Sequence, residues 1–146
     1  QTKNHIKIIA TYDKGNNLNV DTVINIIPKN GDFKVKYLLG ILNSKFASYY
    51  LYNFVYNRAV RSMNFEYVKY LPIKNIQVSE QNKIVDLVDK LLRLNQEIHI
   101  LEKASKKESI NKIKKTAKEM EQQLDKEVYS TYGLSKTEIR VIEELE

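Results

Sequence analysis

The spacing of hydrophobic and polar residues changes between the first and second halves of the chain. Three short segments with alternating or β-branched residues, at 6–12, 22–28 and 67–73, predict strands. Between the last two, apolar residues recur every three or four positions from 37 to 54, which predicts one amphipathic helix packed on a sheet.

Beyond residue 79 the apolar residues follow a near-heptad spacing. The seam beginning at Ile84 predicts a helix over about 80–102, and the seam beginning at Ile110 predicts a second over about 106–132. Because only a few residues connect these helices, an antiparallel hairpin is expected.

Helix-ending and helix-starting residues refine this second half. Ser105 with Glu108, and Ser135 with Glu138, have the spacing of a capping box, in which a hydroxyl and a carboxylate bind free N–H groups of the first helical turn. Gly133 suits the left-handed position that follows a helix, so a short last helix is expected over about 136–145.

These elements together predict an α+β protein. A small mixed α/β domain occupies 1–78, and a coiled-coil-like antiparallel hairpin with a short C-terminal helix occupies 79–146.

The net charge of +6 is unevenly distributed. Residues 1–78 carry eleven Lys and Arg against four acids, a net +7, whereas residues 79–146 carry thirteen against fourteen, a net −1. A basic patch is the usual footprint of a phosphate-bearing partner, so the first half is expected to bind nucleic acid. The alternative is a lysine-rich composition that serves solubility alone.

Several classes of site are disfavoured by the composition. The chain has no cysteine, which excludes disulfides and thiolate zinc sites, and its two histidines, His5 and His99, stand far apart. No run of about 18 uncharged apolar residues is present, so no membrane partner and a cytoplasmic location are expected.

The best suggestion of catalysis is a set of two carboxylates and a lysine, Asp21, Asp32 and Lys34. Such a set can hold Mg²⁺ in a nuclease, but Asp32 follows Asn30-Gly31, where a turn explains it equally well. The four glycines are scattered, so no phosphate-binding glycine loop exists.

A donor-rich segment lies between residues 53 and 64, and eight of the ten tyrosines fall in the basic half. Aromatic rings among basic residues suit a nucleic-acid surface. Arg58 and Arg61 are candidates for bidentate contacts to guanine, and Asn57 and Asn64 for contacts to adenine. The remaining candidates for DNA contact are Tyr56 and Ser62 in the same segment, and Lys29, Lys34, Lys36, Lys45 and Lys69 for phosphates. An equally good interpretation of Arg58 and Arg61 is that they brace the loop.

The order of three motifs resembles a known family. They are Asn43-Ser44-Lys45 within YLLGILNSKFASYYLYN, Leu71-Pro72-Ile73 within YVKYLPIKNI, and Glu80-Gln81 at the start of EQNKIVDLVDKLLRLNQEI. This arrangement is similar to the TaqI-like C-terminal specificity domain of type IIG restriction-modification enzymes, itself similar to the target recognition domains of type I specificity subunits.

The resemblance implies a non-catalytic chain that recognises a sequence in double-stranded DNA. A methyltransferase domain of the same parent chain or complex would bind S-adenosylmethionine, receive the flipped adenine and be the partner of this domain; Mg²⁺ is likewise expected only in the parent enzyme. The alternative function is a coiled-coil oligomerisation or scaffold domain in which the hairpin carries the role and the basic half is incidental.

Overall fold

The computed structural model describes residues 7–15, 23–29, 31–55, 68–105 and 107–144. The described part of the first half contains two short helices, α1 (Val35–Leu42) and α2 (Lys45–Tyr50), and a π-helical turn (Leu51–Val55) that continues α2. The second half contains α3 (Asn82–Lys103), α4 (Lys107–Tyr132) and α5 (Lys136–Glu143). Among the described residues, no helix is long and apolar enough to cross a membrane.

The prediction of an α+β fold is wrong. The described parts of the three predicted strands, 7–12, 23–28 and 68–73, form no strand, and the elements in the described ranges are helical. Residues 7–12 and 71–74 run instead over the surface of the helices. β-branched residues favour an extended backbone, but a sheet also requires a neighbouring strand.

Side chains of the helices take the place of that neighbouring strand. The amide of Asn43 accepts a hydrogen bond from the N–H of Ala10 at 2.9 Å and donates to the carbonyl of Ala10 at 3.0 Å. The N–H of Ile8 donates to Ser48 Oγ at 3.2 Å. At Ile8 and Ala10, backbone groups that a sheet could have paired are therefore satisfied by side chains.

The predicted single helix over 37–54 is interrupted at Asn43 and Ser44. Ser44 has an extended backbone, with ψ of 155°, and its hydroxyl accepts from the N–H of Ala47, so it caps α2. Short polar side chains compete for backbone groups in this way and favour helix ends over helix interiors. These two helices pack on the hairpin, because the described residues form no sheet beneath them.

The core lies where α1 and α2 cross the hairpin. Tyr37, Ile41 and Leu51 from the first half are fully buried, as is Val128 of α4. Gly40 brings α1 very close to the hairpin, because an added Cβ would lie 2.4 Å from Ile84 Cγ2. Side chains from both halves thus share one core, and the division into units 1–78 and 79–146 stays a prediction.

The helices of the second half begin and end close to where the sequence places them. Gly133 has φ of +69°, which confirms the left-handed position expected there, and the N–H groups of Gly133 and Leu134 donate to the carbonyls of Ser130 and Tyr129 in a Schellman motif. The capping box of Ser135 and Glu138 is also confirmed.

The structure does not place Ser105 in the extended conformation that the N-cap of the expected capping box requires. Ser105 instead has φ of +55° and follows the C-cap residue Ala104 of α3. It occupies the left-handed position that glycine usually fills.

Candidate nucleic-acid interface

Six of the predicted DNA-contact residues lie outside the described residues. They are those of the donor-rich loop: Tyr56, Asn57, Arg58, Arg61, Ser62 and Asn64. The five predicted lysines, Lys29, Lys34, Lys36, Lys45 and Lys69, are described, and the structure distributes them over different surroundings.

Lys34 and Lys36 are bound to the hairpin. The ammonium of Lys34 donates to the Asn82 side chain, and that of Lys36 pairs with Asp89, both on α3. Lys36 also lies 5.5 Å from the centre of the Tyr12 ring. Both side chains therefore help to attach the first half to α3, a role that the sequence did not indicate.

Lys29 and Lys69 are exposed on the first half. Lys69 lies 5.3 Å from the centre of the Tyr70 ring, a neighbouring aromatic that is itself 59% exposed. A cation beside an exposed ring presents both charge and stacking surface to solvent.

Exposed aromatic surface also precedes the donor-rich loop. Phe54 is 69% exposed, and its ring centre lies 5.2 Å from that of Tyr50 and 6.2 Å from that of Tyr49. The π-helical turn that carries Phe54 leads directly into residue 56. The described residues on the N-terminal side of the loop thus include a ring available to a ligand.

The nuclease interpretation receives no geometric support from the described residues. Asp21 lies outside them, the carbonyl of Asp32 accepts from Gln81, and Lys34 is bound to Asn82. No group of three or more potential metal ligands occurs among the described residues. His99 is exposed on α3.

Residues in or next to the three motifs that carry the family resemblance make hydrogen bonds between separate segments of the chain. In the first, Asn43 holds Ala10, as above, and the N–H of Lys45 donates to Asp125 Oδ1 of α4 at 2.8 Å. Asp125 is 7% exposed, and burial, partly offset by the backbone hydrogen bond from Lys45, raises its pKa to about 6.

The second motif, Leu71-Pro72-Ile73, leads into a pair of tyrosine contacts. The hydroxyl of Tyr132 donates to the carbonyl of Pro72 at 2.6 Å, and that of Tyr37 donates to the carbonyl of Lys74 at 2.7 Å. Burial, and secondarily Tyr132, raises the pKa of Tyr37 to about 12, so its hydroxyl stays protonated as a donor.

Gln81, from the third motif, is completely buried. Its amide donates to the carbonyls of Asp32 at 2.7 Å and Ile76 at 3.2 Å, and its oxygen accepts from the N–H of Lys34 at 2.8 Å. One side chain therefore joins the segment before α1 to the segment before α3.

A cleft of about 960 Å³ lies between residues 7–11, helices α1 and α2, and the hairpin. Apolar side chains such as Leu39 and Leu92 line it together with charged ones. The charged residues are Lys7, Lys45, Lys114, Lys118, Glu121 and Asp125. Two of these lysines, Lys114 and Lys118, belong to the hairpin. Counting charge over the whole of residues 79–146 hides them, because acids elsewhere in that half cancel their charge; a count over shorter segments would reveal them.

Comparison with family models gives one match. Residues 1–73 match the model of the TaqI-like C-terminal specificity domain, and they make up half of the 146 residues. The chain belongs to this family. TaqI-like specificity domains recognise DNA sequence in restriction-modification systems and are typically non-catalytic. The match ends at Ile73, so the hairpin lies beyond the matched residues. Comparisons with curated proteins and with solved structures give no match.

Proposed function

We propose that this TaqI-like specificity domain selects the DNA site for the methyltransferase of a cytoplasmic type IIG restriction-modification enzyme. The observation that carries the proposal is the coincidence of two features in the first half: the family match covers residues 1–73, and residues 1–78 hold a net charge of +7. Adenine is the proposed target base, and S-adenosylmethionine and Mg²⁺ belong to other parts of the parent enzyme.

In this proposal the loop over 56–64 reads bases. Arg58 and Arg61 contact guanine, and Asn57 and Asn64 contact adenine, because these side chains match the hydrogen-bonding edges of those bases in the major groove. Tyr56 and Ser62 add contacts to the sugar-phosphate backbone.

The five lysines are not equivalent as phosphate ligands. Lys29 and Lys69 are exposed on the first half, and Lys45 lines the cleft. Lys34 and Lys36 have partners on α3, so a phosphate would compete with Asn82 and Asp89 for them. We therefore expect Lys34 and Lys36 to contribute less to phosphate contact than the exposed Lys29.

The scaffold alternative requires an apolar seam that a second copy can cover. In the hairpin, five seam residues are buried within the chain and the others are half-buried; the buried ones are Ile84, Ile110, Ala117, Leu124 and Val128, and the half-buried ones are Leu87, Leu91, Leu94, Ile98, Leu101, Ile113 and Met120. This burial favours the DNA-recognition proposal, since it leaves the seam occupied by the hairpin's own packing.

The proposal is tested by titrating the chain with labelled duplexes at several salt concentrations. The duplexes are a random pool and sequences enriched from it by repeated binding. We expect the logarithm of the association constant to fall linearly with the logarithm of salt concentration, and the enriched duplexes to bind more tightly. Salt-independent binding, or no preference for any enriched duplex, contradicts the proposal.

Arginine variants locate the base contacts. Arg58→Ala or Arg61→Ala should each relax the preference at one base pair, at a cost of about 1–3 kcal/mol for the preferred base. Arg93→Ala is the matched control, because Arg93 is an exposed arginine on α3. A uniform loss over all sequences would assign Arg58 and Arg61 to the phosphate backbone instead.

A further inference from the structure

The near-zero charge of the second half conceals two oppositely charged regions. We define the hairpin tip as residues 102–118, which carry seven lysines against Glu102 and Glu108, a net +5. The lysines are Lys103, Lys106, Lys107, Lys112, Lys114, Lys115 and Lys118. The rest of 79–146 therefore carries −6, since the whole carries −1.

The described lysines of the tip are exposed, and one of them has a carboxylate within ion-pair distance. Lys114 Nζ lies 3.3 Å from Glu102 Oε1. For Lys103, Lys107, Lys112, Lys115 and Lys118, the described part of the chain provides no ion pair within 4.0 Å. The positive charge of the tip is therefore available to a ligand.

Stability of α4 does not explain this placement. The lysines occupy the N-terminal half of α4, whereas Glu119, Glu121, Asp125 and Glu127 follow in its C-terminal half. The helix dipole acts mainly within the first and last turns, so it does not favour lysines over 112–118, and it disfavours Lys107 in the first turn. A requirement other than helix stability is needed to account for the lysines.

Three of the lysines form a stripe that reaches the cleft. Lys107, Lys114 and Lys118 are spaced by seven and four residues, so they lie on one side of α4 and span about 16 Å along its axis. Lys114 and Lys118 line the cleft together with Lys7 and Lys45 of the basic half, so the cleft carries four lysines against two acids, Glu121 and Asp125. The stripe therefore extends the positive surface of the first half onto the hairpin.

We propose that the stripe Lys107/Lys114/Lys118 binds phosphates of the same DNA duplex that the first half reads, which gives the hairpin a direct part in DNA binding. This inference rests on the proposed function. A lipid surface fits less well, because an interfacial helix needs an exposed apolar face, and the apolar residues Ile110 and Ala117 of α4 are buried against the rest of the chain.

The test uses the full chain and two triple variants of equal charge. The first is K107Q/K114Q/K118Q, and its control is K90Q/K126Q/K136Q, at three exposed lysines outside the tip. Each phosphate contact contributes about 0.9 to the slope of log affinity against log salt. The slope is negative, and the tip variant is expected to reduce its magnitude by about 2–3 relative to the control. The sequence preference should stay unchanged.

Four other results would overturn the inference. Equal slopes for the two variants would show that the net charge alone matters. If the tip variant has the same salt slope as the unsubstituted chain, the hairpin does not bind DNA phosphates, and the proposed function remains intact. Loss of binding to phosphatidylserine vesicles without any change toward DNA would identify a lipid ligand. If the unsubstituted chain shows no salt-dependent binding to DNA, both the proposed function and this inference are overturned. Circular dichroism checks that both variants are folded.

Discussion

The two ends of the hairpin differ in what holds them. At its root, which we define as residues 82–92 and 121–132, Ile84, Val88, Leu124 and Val128 are buried against α1 and α2. At its tip, Ile110 and Ala117 are the buried residues among those described, and the charged residues are exposed. The root is therefore held by packing with the other half, whereas the buried residues of the tip lie outside that shared core.

Polar side chains follow the same division. Around the root, buried Gln81 and Asp125 and half-buried Asn43 each bind backbone groups of another segment. At the tip, the exposed Lys114–Glu102 pair is the corresponding polar contact in the described residues. Polar residues near the root therefore determine how the two halves are joined, whereas those at the tip are available for binding.

The largest expected difference in stability is between substitutions of two glutamines: Gln81, the N-cap residue of α3, and Gln96, an exposed residue of the same helix. Gln81→Leu leaves the N–H of Lys34 and the carbonyls of Asp32 and Ile76 without their partner, and each such group costs about 1–3 kcal/mol when buried. We expect a loss of roughly 3 kcal/mol or more in the free energy of unfolding. Gln96→Leu, at an exposed position, should change it by less than about 0.5 kcal/mol. Urea unfolding measures both, and equal losses would contradict the comparison.

Asp125 makes the stability of the root depend on pH. Its folded-state pKa of about 6 lies above the ordinary value of 3.8, so the folded chain binds the proton more tightly. This contribution to stability is fully present below the ordinary pKa and is lost as the pH rises through 6. The loss is on the order of 2–3 kcal/mol.

Asp125→Asn removes that titration while keeping an oxygen for the N–H of Lys45. We expect its stability to be flatter than that of the original chain between about pH 4 and pH 6. Glu119→Gln, an exposed change on the same helix, serves as the control. Parallel pH profiles for the original chain and Asp125→Asn would show that Asp125 has an ordinary pKa.

Gly40→Ala tests the closeness of α1 to the root. The new methyl group would lie 2.4 Å from Ile84 Cγ2 and 3.0 Å from Val88 Cγ2, two buried β-branched side chains with little freedom to move. Overpacking costs about 1–3 kcal/mol, and alanine regains up to about 1 kcal/mol of helix preference, so a net loss of about 1–2 kcal/mol is expected. Gly31→Ala, with nothing within 4 Å of the added Cβ, should be nearly neutral by thermal unfolding.

Local patterns predict the helices of the second half because each follows from nearby residues. The heptad spacing defines α3 and α4, while Gly133 and Ser135 fix the end of α4 and the start of α5. Ser105 shows the limit of such patterns, since its spacing to Glu108 suits a capping box but its backbone adopts a left-handed conformation. The same residue type can serve either end of a helix, and the choice depends on the geometry of the whole connection.

The sheet was wrongly predicted because strand formation depends on distant partners. Nothing near Ala10 in the sequence indicates that Asn43, 33 residues later, pairs with its backbone. Likewise, the partners of Lys34 and Lys36 lie 48 and 53 residues away on α3. The basic half and the family were predictable from charge and motif order, whereas the assignment of each polar side chain to joining or binding required the fold.

The smallest predicted effect is at the tip, where Glu102→Gln removes the ion pair with Lys114. Both side chains are at least half exposed, so water and salt screen the pair, and the free energy of unfolding should change by less than about 0.5 kcal/mol. Removing a competing carboxylate should nevertheless strengthen DNA binding if the stripe binds phosphate. Glu97→Gln, an exposed acid elsewhere on α3, controls for net charge. A large loss of stability in Glu102→Gln would show that the tip, like the root, is held by its polar contacts.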